Sequence, residues 1–150
     1  MRAVIQRVTS ASVSIHGIPP QSITTGLVIL LGIAGDDTAD DIDRLVKKIV
    51  HLRIFEDEQK KMNKSLLDIK GDVLLVSQFT LFASTKKGNR PSFSNAAEPV
   101  IALPLYEQCI QHLTAVLGKP VKTGQFGADM QVEIHNDGPV TLILDTKAME

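Results

Sequence analysis

From Leu27 to Ile33 the chain reads LVILLGI, a run with no charged or polar side chain, bounded by Gly26 and Gly35. A strand of this kind has no face to offer water and must lie in a sheet covered on both sides. Val73-Leu74-Leu75-Val76 is a second uncharged aliphatic run and reads as another buried strand. Between them, Ile42, Leu45, Val46, Ile49 and Val50 recur at the spacing of one helical stripe, predicting a helix over Asp36 to His51. Asp36, Asp37 or Thr38 can cap its start, and Lys47 and Lys48 suit its negative end.

The remaining elements are shorter. Ala3 to Val8 and Ala11 to Ile15 alternate apolar and polar residues around Thr9-Ser10, which reads as a hairpin of two strands. Gly17-Ile18-Pro19-Pro20 reads as a turn, because two prolines remove two ladder donors. Leu52 to Phe55 is a short strand, Glu56 to Lys61 a charged turn, and Ser84 to Ser94 a loop. A second helix ends at Leu117, before Gly118 and Pro120. It begins either at Glu98-Pro99 or at Pro104, and in the first case Pro104 lies inside it. Met130 to Ile134 and Val140 to Leu144 are two final strands, joined by Asn136-Asp137-Gly138-Pro139.

These elements predict one mixed α/β domain over residues 1–150. It is β-rich, with two packed mixed or antiparallel sheets, barrel-like, and two helices against them in three layers, α/β/β. A length of 150 residues with 43% hydrophobic and 22% charged side chains suits one globular core. The longest apolar run is far short of the roughly 20 residues that cross a membrane as a helix. A single cysteine, Cys109, allows no internal disulfide and fits a reducing, cytoplasmic setting. A net charge of −1 gives no broad basic footprint for nonspecific nucleic-acid binding. His16, His51, His112 and His135 are scattered without ligand spacing, so no metal is expected, and no phosphate loop or cofactor motif appears.

The chemistry concentrates at Asp72 to Ala83, DVLLVSQFTLFA. A buried strand leaves the core and immediately presents Ser77, Gln78 and Thr80 around Phe79. Ser77 or Thr80 could act as a nucleophile, which needs a base within hydrogen-bond reach. Alternatively, the strand end offers main-chain N–H groups to a substrate carbonyl as an oxyanion site. Gly138-Pro139 is similarly open: an ordinary turn, or a cis peptide whose adjacent carbonyls point the same way and accept from an ammonium.

SQFTLFA at 77–83 and NDGPVT at 136–141 together resemble the paired signature motifs of D-aminoacyl-tRNA deacylases. IQRVTSASVSI near the start, RIF at 53–55, Lys61-Met62-Asn63, RPSF at 90–93 and TGQFGADMQV at 123–132 extend the resemblance over nearly the whole chain. It implies a homodimeric hydrolase, without cofactor, acting on the ester between a D-amino acid or glycine and the tRNA 3′ end. It implies no membrane or DNA partner. By position, Ser77, Gln78, Phe79 and Thr80 line the catalytic pocket. Gly138 and Pro139 form a cis chiral filter that enters the partner subunit's site, and Arg7 supports that loop. Phe126 and Met130 hold the terminal adenosine. Lys86, Lys87 and Arg90 are candidate phosphate contacts, or an ordinary solvated loop. The competing readings are a general esterase with Ser77 or Thr80 as nucleophile, and a non-catalytic module that binds an RNA end.

Overall fold

The computed structural model describes residues 1–149. Strand β1 (Arg2–Ile15) is followed by β2 (Ile18–Ile23), β3 (Gly26–Gly32) and helix α1 (Ala39–His51). Then come β4 (Phe55–Glu56), β5 (Met62–Lys64) and β6 (Asp72–Ser77), a 3₁₀ turn over Phe79–Phe82, and helix α2 (Pro99–Leu117). Strands β7 (Lys122–Thr123) and β8 (Gln131–Asp145) complete the chain. One six-stranded sheet contains all strands except β4 and β5, which form a small hairpin sheet of their own. The expected mixed, barrel-like fold with two helices is present: the large sheet curls far enough to bring β2 against β6 and β7.

The aliphatic run of β3 pairs in parallel with β6, from Gly26 opposite Asp72 to Leu31 opposite Ser77. Both are buried on both faces, as their composition requires. Leu27, Ile29, Leu31, Val73 and Leu75 face the core beneath the helices. Val28, Leu74 and Val76 face a second cluster, with Val8, Ala11, Val13 and Ile23, inside the curl. Gly26 lies so close to Asp72 that an added Cβ would fall 2.0 Å from the Asp72 carbonyl oxygen. Glycine there is a condition of the close strand approach.

Thr9-Ser10 does not turn the chain. β1 runs through it as one strand, and β8 follows it antiparallel from Arg2–Asp145 to Ser14–Gln131. The other edge of β1 is shared: residues 2–8 pair with β3 and residues 11–15 with β2. Val8 pairs with Asn136 and Ser10 with His135, leaving Thr9 as an extra residue, a bulge. Such an insertion exchanges the faces of a strand. Ala3 and Ile5 therefore pack under the helices, while Ala11 and Val13, of the same parity, pack inside the curl. The hairpin turn lies instead at His16-Gly17, where Gly17 has φ 78°. Pro19 and Pro20 belong to β2, an edge strand, where a missing N–H costs no ladder bond. The short strand starts at Phe55, three residues later than Leu52. The last two predicted strands are one, β8, because both halves pair with the same β1.

Helix α1 buries Ile42, Leu45, Val46, Ile49 and Val50, the predicted stripe. Its N-cap is Thr38, whose N–H donates to Asp41 Oδ2 at 2.9 Å. Helix α2 starts at Pro99 with Pro104 inside it, and ends on Gly118 in the left-handed conformation. The Tyr106 hydroxyl donates to the Leu75 carbonyl oxygen at 3.0 Å, tying α2 to β6, and burial pushes its phenol up to about 12. At the N-terminus, the buried Met1 ammonium donates to Asp37 Oδ1 at 2.6 Å and to Thr146 Oγ1 at 2.7 Å. No helix is long and apolar enough to cross a membrane, among the described residues.

Burial alone would raise the carboxyl of Asp41, but hydrogen bonds from Thr146, the Thr38 backbone and Lys147 outweigh it and hold the group far below its ordinary range. Asp41→Asn is expected to cost about 1.5–3 kcal/mol at neutral pH in urea unfolding, the range for hydrogen bonds to a charged group. The folded value is depressed, so the carboxylate contributes fully above its unfolded value near 4 and loses that contribution as pH falls toward the folded value. The gap between the two proteins should therefore narrow below about pH 4; a gap constant down to pH 2 would contradict this account.

Candidate active site

Strand β6 stops because its ladder runs out. Gln78 N–H still donates to the Leu31 carbonyl at 2.8 Å, and the chain then closes a four-residue 3₁₀ turn. Leu81 N–H donates to the Gln78 carbonyl and Ala83 N–H to the Thr80 carbonyl. The first N–H groups of any helical turn have no partner within it. Among the described residues, no acceptor is bonded to the N–H groups of Phe79 or Thr80. The turn packs closely against β3 at Gly32. A Cβ there would lie 3.0 Å from the Gln78 carbonyl oxygen and 3.1 Å from Leu81 Cβ and Phe82 Cδ2.

Beside this turn opens a cavity of about 370 Å³, within the size of small-ligand sites. It is lined by Leu31 and Ile33, by Ser77, Gln78 and Phe79, by Ala97, Glu98 and Ala102 of the α2 entry, and by Phe126. Phe79 meets Phe93 edge-on at 5.0 Å between ring centres, and Phe126 leans on Tyr106 at 5.7 Å. The lining is apolar apart from Ser77, Gln78 and Glu98, and Glu98 is its sole ionisable side chain. Such a recess accepts a flat, weakly charged group such as a nucleobase, and presents main-chain N–H groups at its edge.

Ser77, Gln78, Phe79 and Phe126 thus meet at one cavity. Thr80 stands in the adjoining turn, its hydroxyl accepting from the Gln78 side-chain amide. No carboxylate or imidazole is bonded to the Ser77 or Thr80 hydroxyl among the described residues. Cys109 is buried in α2, and burial pushes its thiol up to about 12. Met130 lies off the cavity, packed beside Gly124 and the inner cluster. Lys86, Lys87 and Arg90 are exposed in the loop closed by the Ser84–Ser92 bridge, next to Phe93 at the cavity mouth. The contribution of the α2 entry, Ala97 to Ala102, is absent from the motif reading. The signal available was Pro99 at a helix start immediately after RPSF.

Gly138, Pro139 and Arg7 form a second constellation. The ladder pairs Gln6 with Thr141 and Val8 with Asn136, so residues 137–140 bulge out opposite Arg7 alone. The Gly138-Pro139 peptide is cis, and Gly138 has φ 121°. Arg7, 5% exposed, donates from Nε to the Asp137 carbonyl at 3.1 Å and from Nη1 to the Ile54 carbonyl at 2.6 Å. Its Nε also lies 3.2 Å from the Asp137 carboxylate. The guanidinium therefore pins the loop at its base and leaves Gly138 and Pro139 exposed. Within one chain the two constellations stand apart. Arg7 is level with Leu27 and Ser77 with Leu31, and β3 and β1 intervene between β6 and β8. At about 3.3 Å per residue and 4.8 Å per strand, the separation is on the order of 20 Å.

A family model described as D-Tyr-tRNA(Tyr) deacylase matches residues 4–145. A D-aminoacyl-tRNA deacylase of Bacteroides fragilis (strain YCH46) is 59% identical over 150 residues, covering 100% of both chains. The chain belongs to the D-aminoacyl-tRNA deacylase family. Among solved structures, the c-Myc DNA Unwinding Element Binding Protein superposes with a TM-score of 0.90 and 44% identity, over 97% of this chain and 98% of its own. A probable eukaryotic D-amino acid tRNA deacylase shares the fold, with a TM-score of 0.83 at 18% identity over 95% and 97% of the two chains.

Gly32→Ala tests how tightly β3 defines the 3₁₀ turn. The added methyl presses on the Gln78 carbonyl and on the Leu81 and Phe82 side chains, and overpacking of this kind costs about 1–3 kcal/mol. Urea unfolding should show that loss with an unchanged m-value, and an unperturbed midpoint would contradict the tight fit.

Proposed function

We propose that this protein hydrolyses the ester between a D-amino acid, or glycine, and the 3′-terminal ribose of tRNA, and rejects L-aminoacyl-tRNA. This is chiral proofreading for translation, placed in the cytoplasm. Family membership supports the reaction class. The observation that carries the mechanism is the cavity edge at Phe79 and Thr80, where, among the described residues, two main-chain N–H groups lack acceptors and no base attends either hydroxyl. The cavity takes the terminal adenosine, with Phe126 against the base. Met130, which lies off the cavity, supports that wall through Gly124.

The chiral filter is supplied by a second copy of the chain. Gly138-Pro139 is too far from its own Ser77 to serve it, yet it is exposed and held from below by Arg7. Strand β8 carries it on an edge paired only with β1, where Val140, Leu142 and Leu144 are half-buried and Ile143 is 74% exposed. Such an edge is a ready pairing surface, and a homodimer across it brings each loop to the other subunit's cavity. Outside the ladder, the loop's main-chain carbonyls are available to the substrate ammonium. A D side chain then points to solvent, whereas an L side chain collides with main chain. Rejection by backbone needs no match to any one side chain, so many D-residues pass, and so does glycine.

Water attacks the ester carbonyl, and the oxyanion that forms is held by the N–H groups of Phe79 and Thr80. The vicinal ribose hydroxyl relays the proton to the leaving ribose oxygen. Removing an oxyanion donor typically costs about 10²–10³ in rate, whereas the Thr80 side chain makes no required bond in this scheme. Thr80→Ala should therefore keep most of the single-turnover rate. Collapse to the uncatalysed rate would establish a hydroxyl nucleophile and favour the esterase reading.

Matched D- and L-aminoacyl-tRNAs test the reaction itself. Release of the D-amino acid alone is the expected outcome. Release regardless of chirality would indicate a general esterase, and no release a binding module. Gly138→Val should abolish the D-selective activity, because its Cβ would meet Arg7 Nη2 at 3.1 Å and Val140 Cγ2 at 3.0 Å at φ 121°. Mixed with a Thr80 main-chain-disrupting variant such as Thr80→Pro, it should recover one working site per dimer if the site is shared.

A further inference from the structure

The outer face of α1 is not used by the reaction described above. Arg44, Lys47, Lys48 and His51 fall at the i, i+3, i+4, i+7 spacing that places residues on one side of a helix. With Arg53, Leu52 and Met149 they line a concave surface of about 610 Å³, five of whose seven lining residues are basic. Arg44 pairs with Asp41 at 2.9 Å. Arg53 donates to the main-chain and side-chain oxygens of Asn63, at 2.9 and 3.0 Å, which are neutral acceptors. Lys47, Lys48 and Arg53 have no carboxylate within 4.0 Å among the described residues. This concentration stands out against the whole chain, which has 16 Lys and Arg against 17 Asp and Glu. Without the four Lys and Arg of this surface, 12 cations would face 17 acids.

The surface is also placed beside the chiral loop. Arg53 precedes Ile54, whose carbonyl accepts from Arg7, and Arg7 holds the Asp137 carbonyl at the base of Gly138-Pro139. The catalytic cavity has no cation in its lining, and its one ionisable group is an acid. Its lining can seat a nucleoside but itself holds no charge for the attached polyanion; the cations near its mouth, Lys86, Lys87 and Arg90, stand on an exposed loop.

We propose that the α1 face formed by Arg44, Lys47, Lys48, His51 and Arg53 binds the phosphate backbone of the tRNA acceptor helix. This rests on the tRNA reading of the active site. The helix rises about 1.5 Å per residue, so Arg44 to His51 spans about 10 Å. That length can lie along neighbouring phosphates of one strand of an RNA helix. Through Ile54 and Arg7 the face flanks the base of the Gly138-Pro139 loop, so in the proposed dimer it lies beside the loop presented to the partner's cavity. The face consequently grips the substrate across the dimer, adding affinity without touching the scissile bond. Only Leu52 and Met149 contribute apolar surface there, too little for insertion into a lipid bilayer.

The test is Lys47→Ala/Lys48→Ala, two exposed positions where alanine favours the helix. Kinetics are measured over a salt series on D-aminoacyl-tRNA and on D-aminoacyl-adenosine, which has no stem. At low salt, KM for the tRNA should rise about tenfold with kcat unchanged. The slope of log kcat/KM against log salt should fall by about two, close to one for each phosphate no longer neutralised. Kinetics on D-aminoacyl-adenosine should not change, and Lys47→Arg/Lys48→Arg should restore the tRNA values. Equal losses on both substrates, or an unaltered salt slope, would overturn the proposal. If the unaltered protein hydrolyses neither substrate, the functional reading fails, while filter binding of uncharged tRNA still decides this one: a shallower slope in the double variant supports it and an equal slope refutes it. Loss of binding to phosphatidylserine vesicles with RNA binding intact would likewise refute it.

Discussion

The parallel pairing of β3 with β6 sets the position of nearly everything else. Both strands are apolar on both faces, so the pair is stable only with helices on one side and the curled remainder of the sheet on the other. That requirement curls β1 around the inner cluster and lays α1 and α2 over the outer one. It also fixes where the chain can stop being a strand. Leu31 is opposite Ser77, and beyond it the Leu31 carbonyl has only the Gln78 N–H to accept. The polar end of β6 therefore emerges at the rim of the core, and Gly32 lets the turn fold down against β3. The cavity and its unpaired N–H groups are consequences of this register rather than of any flexible loop.

The second constellation depends on a different rigidity. A four-residue segment opposite the single residue Arg7 would be a loose flap if its base were held only by β1 and β8. A buried guanidinium with bonds to Ile54 and Asp137 on opposite sides makes it part of the framework. Arg7 is more than charge compensation here, since two of its acceptors are main-chain carbonyls whose positions define the loop. Lysine, with one charged nitrogen, could not span both.

Elements whose reading depends on local period were legible in the sequence. The α1 stripe, the two buried strands and the Gly118 stop of α2 are found where expected. The misses share one cause: strand continuity is decided by the neighbour. Thr9-Ser10 and Asn136-Asp137-Gly138-Pro139 have the composition of turns, yet each interrupts only the register, because β1 and β8 resume pairing with each other beyond it. Pro19 and Pro20 misled in the same way, since an edge strand tolerates what a central one cannot. At the site, Ser77 to Phe79 and Phe126 were readable as motifs. The α2 entry was not, because Ala97, Pro99 and Ala102 have no chemical signature until the helix is docked. The basic face of α1 was visible only as charges suited to a helix end. Its concavity arises from the following segment, Leu52-Arg53, turning back beside it.

Strand β8 joins stability to function. It is the longest strand of the molecule, it lies at an edge, and its apolar side chains are only half covered. A monomer keeps that surface at the risk of indiscriminate pairing, which proteins ordinarily blunt with charge, proline or a covering element. Here the one proline in the strand is Pro139, and it lies in the loop rather than along the apolar stretch that follows. In the proposed dimer a second copy would cover Val140 to Leu144, removing the hazard, and in the same step would carry a rigid loop to the other subunit's cavity. Under the proposed assembly, an unpaired subunit would be both poorly protected and without a chiral filter. Chirality would then be checked only in the assembled form, and an unpaired subunit that bound the ester would have nothing with which to reject the L-isomer.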